Sequence, residues 1–109
     1  MAGNFIREGK RLTITAGADL KSGDLVLVGN LATVALADIA SGAKGSAATE
    51  GVWELANKNT TVAISQGQKV YRTTATGKLT NVATDADYVG IAWEAAAQAA
   101  STVKVKINA

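Results

Sequence analysis

The chain has 109 residues, 48 % hydrophobic and 18 % charged, with a formal net charge of +2. That length supports one core, and the apolar fraction excludes disorder as the main state. With no Cys, no His and no Pro, the chain has no disulfide framework, no thiolate or imidazole metal ligand and no nucleophile–imidazole pair.

Residues 1–11 read as an N-terminal arm or first strand, and residues 12–109 as a single β domain. The opening residues show no basic stretch followed by an apolar one, so no secretory leader is expected. No segment approaches the roughly 18 apolar residues that span a bilayer. Leu12-Thr13-Ile14-Thr15 alternates apolar and polar, as a half-buried strand does. Leu25-Val26-Leu27-Val28 is an apolar run closed by the turn residues Gly29-Asn30, and Leu31 to Leu36 alternates again. Gly42 to Ser46 is read as a flexible loop. Lys69 to Thr73 and Lys78 to Val82 flank Ala75-Thr76-Gly77, a hairpin loop. Glu94 to Ala100 has high helix propensity but is short, so a loop or one helical turn is expected there, with another turn within Asn57 to Gln66. Val103, Val105 and Ile107 share one face of the last strand, with Lys104 and Lys106 on the other. The predicted fold is all-β: a small antiparallel β-barrel or sandwich with at most one or two short helical turns.

One pattern occurs twice. Leu20-Lys21-Ser22-Gly23-Asp24-Leu25 matches Ile64-Ser65-Gln66-Gly67-Gln68-Lys69 at an offset of 44, and Leu36 to Ala40 resembles Ala92 to Ala96 at an offset of 56. Two related β-meanders across one core would produce this internal pseudo-repeat. So would simple reuse of turn chemistry in a small β domain, and both readings stay open.

Candidate chemistry is sparse. Gly9-Lys10 and Gly77-Lys78 lack the remaining residues of a phosphate-binding loop. Glu50 and Glu54 could act as paired carboxylates only on one regular strand, and they read more simply as a solvated face. Asp85 and Asp87 lie in a polar stretch without the Gly and distal Glu of a calcium loop. No catalytic residue, cofactor or metal is expected, and no enzymatic activity. Arg7, Lys10 and Arg11 would join Lys104 and Lys106 in one positive patch if the terminal strands paired. With the aromatics, that patch keeps a small nucleic-acid-binding β-barrel as the alternative.

Several segments carry a resemblance in order along nearly the whole chain. They are Asn4-Phe5-Ile6-Arg7-Glu8-Gly9, Lys21 to Gly29, Glu50-Gly51-Val52-Trp53-Glu54-Leu55, Gln66 to Tyr71, Val89 to Ala92 and Lys104 to Asn108. Together they resemble the capsid cement, or decoration, proteins of tailed bacteriophages. Two departures concern turn geometry: the Ala95 to Ala100 loop lacks a Gly-Asp, and Leu25 stands where Pro is frequent. The resemblance implies a small β-rich protein made in the bacterial cytoplasm and bound to the outer surface of the virion head. Its implied partners are the major capsid protein and further copies of itself, as a homotrimer, with no membrane and no direct nucleic-acid contact. The residues expected to contact the capsid or another copy are Asn4, Phe5, Ile6, Arg7, Lys10 and Arg11 of the arm, with Trp53 and Trp93. The plainer reading of the arm is the first strand of the domain.

Overall fold

The computed structural model describes residues 10–109. Among these residues nine strands follow in order: β1 (Arg11–Thr15), β2 (Leu25–Val28), β3 (Leu31–Ala35), β4 (Lys44–Ala48), β5 (Val52–Leu55), β6 (Lys69–Thr73), β7 (Leu79–Thr80), β8 (Ala86–Ala92) and β9 (Val103–Ile107). They form two antiparallel sheets, ordered β1-β4-β3-β2 and β5-β9-β8-β6-β7. The sheets do not close on each other, so the architecture is a sandwich rather than a barrel. No helix is present among the described residues, and Glu94 to Ala100 is a loop anchored by the Ile64–Ala96 bridge.

The alternating strands fold as their patterns require. Val103, Val105 and Ile107 are buried, while Lys104 and Lys106 are exposed. Gly29, at a φ of 59°, turns β2 into β3 through a two-residue connection, a conformation that glycine adopts without a Cβ penalty. Strand β3 is buried on both faces. Ala32 and Val34 join the main core with Leu55, Ile64, Val70, Leu79, Val89, Val103, Val105 and Ile107. Ala35 joins a smaller cluster with Ile14, Ala16, Ile39 and Ala47. Asn108 ties the sheets together: its side chain accepts from Ala32 N at 2.9 Å and donates to Ala32 O and Thr49 O, each at 2.7 Å.

The segment expected to be a flexible loop, Gly42 to Ser46, supplies the start of β4, an inner strand between β1 and β3. Lys44-Gly45-Ser46-Ala47-Ala48 has little intrinsic strand preference. Packing selects it, because a Cβ on Gly45 would lie 2.4 Å from Ile39 Cδ1. Asp87 likewise lies within β8 rather than in a loop.

The repeat is real in the structure. Strands β1, β4, β3 and β2 correspond to β5, β9, β8 and β6, in the same sheet order. Leu20 and Ile39 exchange two backbone hydrogen bonds, as do Ile64 and Ala96. Gly23 N donates to Ala35 O and Ala35 N to Asp24 O; Gly67 N donates to Ala92 O and Ala92 N to Gln68 O. Even the side chains agree: Asp24 Oδ2 accepts from Lys21 N, and Gln68 Oε1 from Ser65 N. These pairs correct the second offset from 56 to 57, since Ala35 matches Ala92 and Ile39 matches Ala96. The offset thus grows by 13 residues, from 44 to 57, between β6 and β8, and that added length contains β7.

Candidate functional site

Asn4, Phe5, Ile6 and Arg7 lie outside the described residues. The remaining expected contact residues fall into two places. Lys10 and Arg11 are exposed at the start of β1, an edge strand, where Lys10 O accepts from Thr49 N. β1 and the last strand, β9, do not pair, because they belong to different sheets. An open cleft between the sheets nevertheless brings Arg11 and Lys106 together, with Leu12, Leu31 and Glu50 among its walls. Of the expected positive patch, Arg11 and Lys106 thus meet across a cleft beside a carboxylate, Lys10 and Lys104 do not line it, and Arg7 lies outside the described residues.

The two tryptophans have different roles in the fold. Trp53 on β5 stands opposite Val105 and packs partly against the main core. Its indole donates to Glu50 O at 3.0 Å, which fixes the tight turn at Gly51. Trp93 follows β8 and is 50 % exposed. Lys106 Nζ lies 5.6 Å from its ring centroid, a cation–π contact. Around it the outer face of the second sheet carries Val52, Glu54, Lys104 and Glu94. Lys104 Nζ and Glu94 Oε2 are 2.9 Å apart, and that carboxylate holds the Lys104 ammonium above the usual lysine range. On the same sheet Tyr71 and Tyr88 meet edge to face at 5.7 Å. Tyr88 donates its hydroxyl to Ala109 O, and burial pushes its ionisation upward, with Tyr71 adding to the effect.

One residue with no motif signal stands out. Lys58 is 3 % exposed and has no carboxylate partner among the described residues. Its ammonium donates to the backbone carbonyls of Asn59 at 3.0 Å, Gln98 at 3.2 Å and Ala100 at 3.3 Å, and to that of Val62. A buried charge needs this satisfaction to be tolerated. The bonds join the loop after β5 to the loop before β9. Nothing in the local sequence Ala56-Asn57-Lys58-Asn59 distinguishes this lysine from a surface one.

Among the described residues no group of three His, Cys, Asp or Glu could hold a metal, and no helix is long and apolar enough to cross a membrane. What the surface offers is strand edges, one exposed indole and mixed charge in shallow clefts. The described residues form a small two-sheet β sandwich. A phage cement protein family model matches residues 6–107, and the chain belongs to that family. No curated protein and no solved structure matches it.

Proposed function

We propose that this protein binds the outer surface of the mature phage head and stabilises the lattice of the major capsid protein. The observation that carries the proposal is the family match across nearly the whole chain. The physical mechanism is mass action: a ligand that binds only the expanded lattice stabilises it, and many copies multiply a modest energy per site. The role is non-catalytic, with self-association as a homotrimer that matches a symmetric site on the shell. A duplicated sandwich tied by Asn108 and Lys58 supplies the rigid body this needs.

The exposed Trp93 under Lys106 favours a second reading, in which single-stranded nucleic acid stacks on the indole. Glu54 and Glu94 on the same face weaken it, since both would repel phosphates. Co-sedimentation with expanded and unexpanded heads separates the two. The first reading predicts retention on expanded heads alone. Failure to bind them, together with DNA affinity that falls steeply with salt, would replace it with the second.

A further inference from the structure

The two halves of the fold differ at one strand edge, and the difference points to a docking position. In the second half the outer edge of β6 is covered by β7, which pairs antiparallel to it through Tyr71↔Thr80 and Arg72↔Leu79. The matching strand of the first half, β2, ends its sheet with no strand beyond it among the described residues. Leu27 is the counterpart of Tyr71 at the offset of 44.

The geometry shows which groups are left over. In a two-residue hairpin the residues flanking the loop form a hydrogen-bonded pair, here Val28 and Leu31. Alternation then turns the peptide groups of Leu27 and Leu25 away from β3. The partner strand obeys the same alternation: Ala32, opposite Leu27, directs both its peptide N–H and its carbonyl to Asn108.

Edges are usually protected by charge, proline or brevity. β1 carries Arg11, β5 carries Glu54 and β7 has two residues, whereas Leu25-Val26-Leu27-Val28 has no charge and no proline. Beside this edge lies Arg72. It lines one cavity with Leu25 and Leu79 and another with Leu27 and Thr74, and among the described residues its guanidinium has no hydrogen-bond or ion-pair partner. Asp24 borders the first cavity, and Asp87, opposite Arg72 in the β6–β8 register, borders the second, yet among the described residues neither forms an ion pair with it.

We infer that β2 receives an extended segment of the shell protein, added antiparallel as β7 is added to β6, with a carboxylate on that segment meeting Arg72. The inference rests on the cement reading. Backbone pairing supplies affinity, and the Arg–carboxylate contact fixes the register.

The test is hydrogen exchange of the whole protein, free and bound to expanded heads, with Arg72→Gln and Arg72→Glu in parallel. Within residues 24–28 the Leu25 and Leu27 amides should exchange readily in the free protein and become protected on the heads, while Asp24, Val26 and Val28 are already bonded within the fold. Arg72→Gln should lower the unfolding midpoint only slightly, because the half-buried guanidinium packs over Gly77 but makes no hydrogen bond or ion pair among the described residues. It should bind heads about tenfold or more weakly, and Arg72→Glu more weakly still. Binding to heads without protection at Leu25 and Leu27, or with Arg72→Glu unaffected, overturns the inference and leaves the cement reading standing. Protection that appears in the free protein as its concentration rises assigns the edge to a second copy and also overturns it. Failure to bind heads at all overturns both.

Discussion

The first and second halves of this chain share a topology but solve its packing differently. In the first half Ile39 extends over Gly45, whose absent side chain makes room for it. At the matching positions of the second half stand Ala96 and, because Gly45 pairs with Ile14 as Val103 pairs with Leu55, Val103 at an offset that has grown to 58, so the bulk has moved from the loop to the strand. The first half turns out of β1 through Ala16 (buried in the smaller cluster), and the second leaves β5 through Asn57, at a φ of 64°, and the buried Lys58. The strand frame therefore tolerates different side chains as long as each local volume is filled. What it does not duplicate is β7, and among the described residues that asymmetry separates a finished edge from an open one.

The comparison breaks most severely at Gly90. A Cβ there would lie 2.2 Å from Lys106 O and 2.9 Å from Ile107 Cα, both backbone atoms that cannot swing aside. Gly90→Ala should destabilise the fold by about 3 kcal/mol or more in urea unfolding. Gly45→Ala should cost about half that, because only the Ile39 side chain must yield.

The exchanged volumes give a sharper test. Ile39→Ala should cost about 2.5 kcal/mol by leaving a cavity over Gly45. Combining Ile39→Ala with Gly45→Val reproduces the second half's arrangement and should recover about 1 kcal/mol or more, a coupling that a double-mutant cycle reads directly. Additive losses would show that the two halves are not interchangeable at this site.

Next in size is Lys58→Met, which keeps the length of the side chain and removes the donor. Four carbonyls lose a partner, and a loss of about 2 kcal/mol is expected. Hydrogen exchange should then rise in both loops that the ammonium joins. The smallest effect belongs to Trp93→Ala. Half its surface is exposed, so unfolding should shift by less than about 0.5 kcal/mol. A large shift would place Trp93 in the core rather than on a contact face.

Most strands were visible in the sequence because period-two alternation maps directly onto one buried and one wet face, as in Val103–Ile107. The repeat was visible through its turn glycines, since Gly23 and Gly67 both require a positive φ, of 93° and 86°. β4 was not, because its small residues are selected by Ile39, a loop residue six positions earlier whose packing no strand period encodes. The one-residue error in the second offset has a related cause: Ala and Trp carry little register information in a turn, whereas the backbone bonds of Ala92 and Ala96 fix it. For the candidate surface, the sequence indicated Trp93 and the basic residues. Lys58 and the bare edge at β2 depend on tertiary placement that no local pattern encodes.

On the proposed function, this sandwich strengthens a loaded shell from outside. The direct measurement is the temperature at which DNA-filled heads release their DNA, taken with heads lacking the protein before and after adding it back. A rise in the release temperature that saturates with bound copies is predicted. An unchanged release temperature at full occupancy would contradict it.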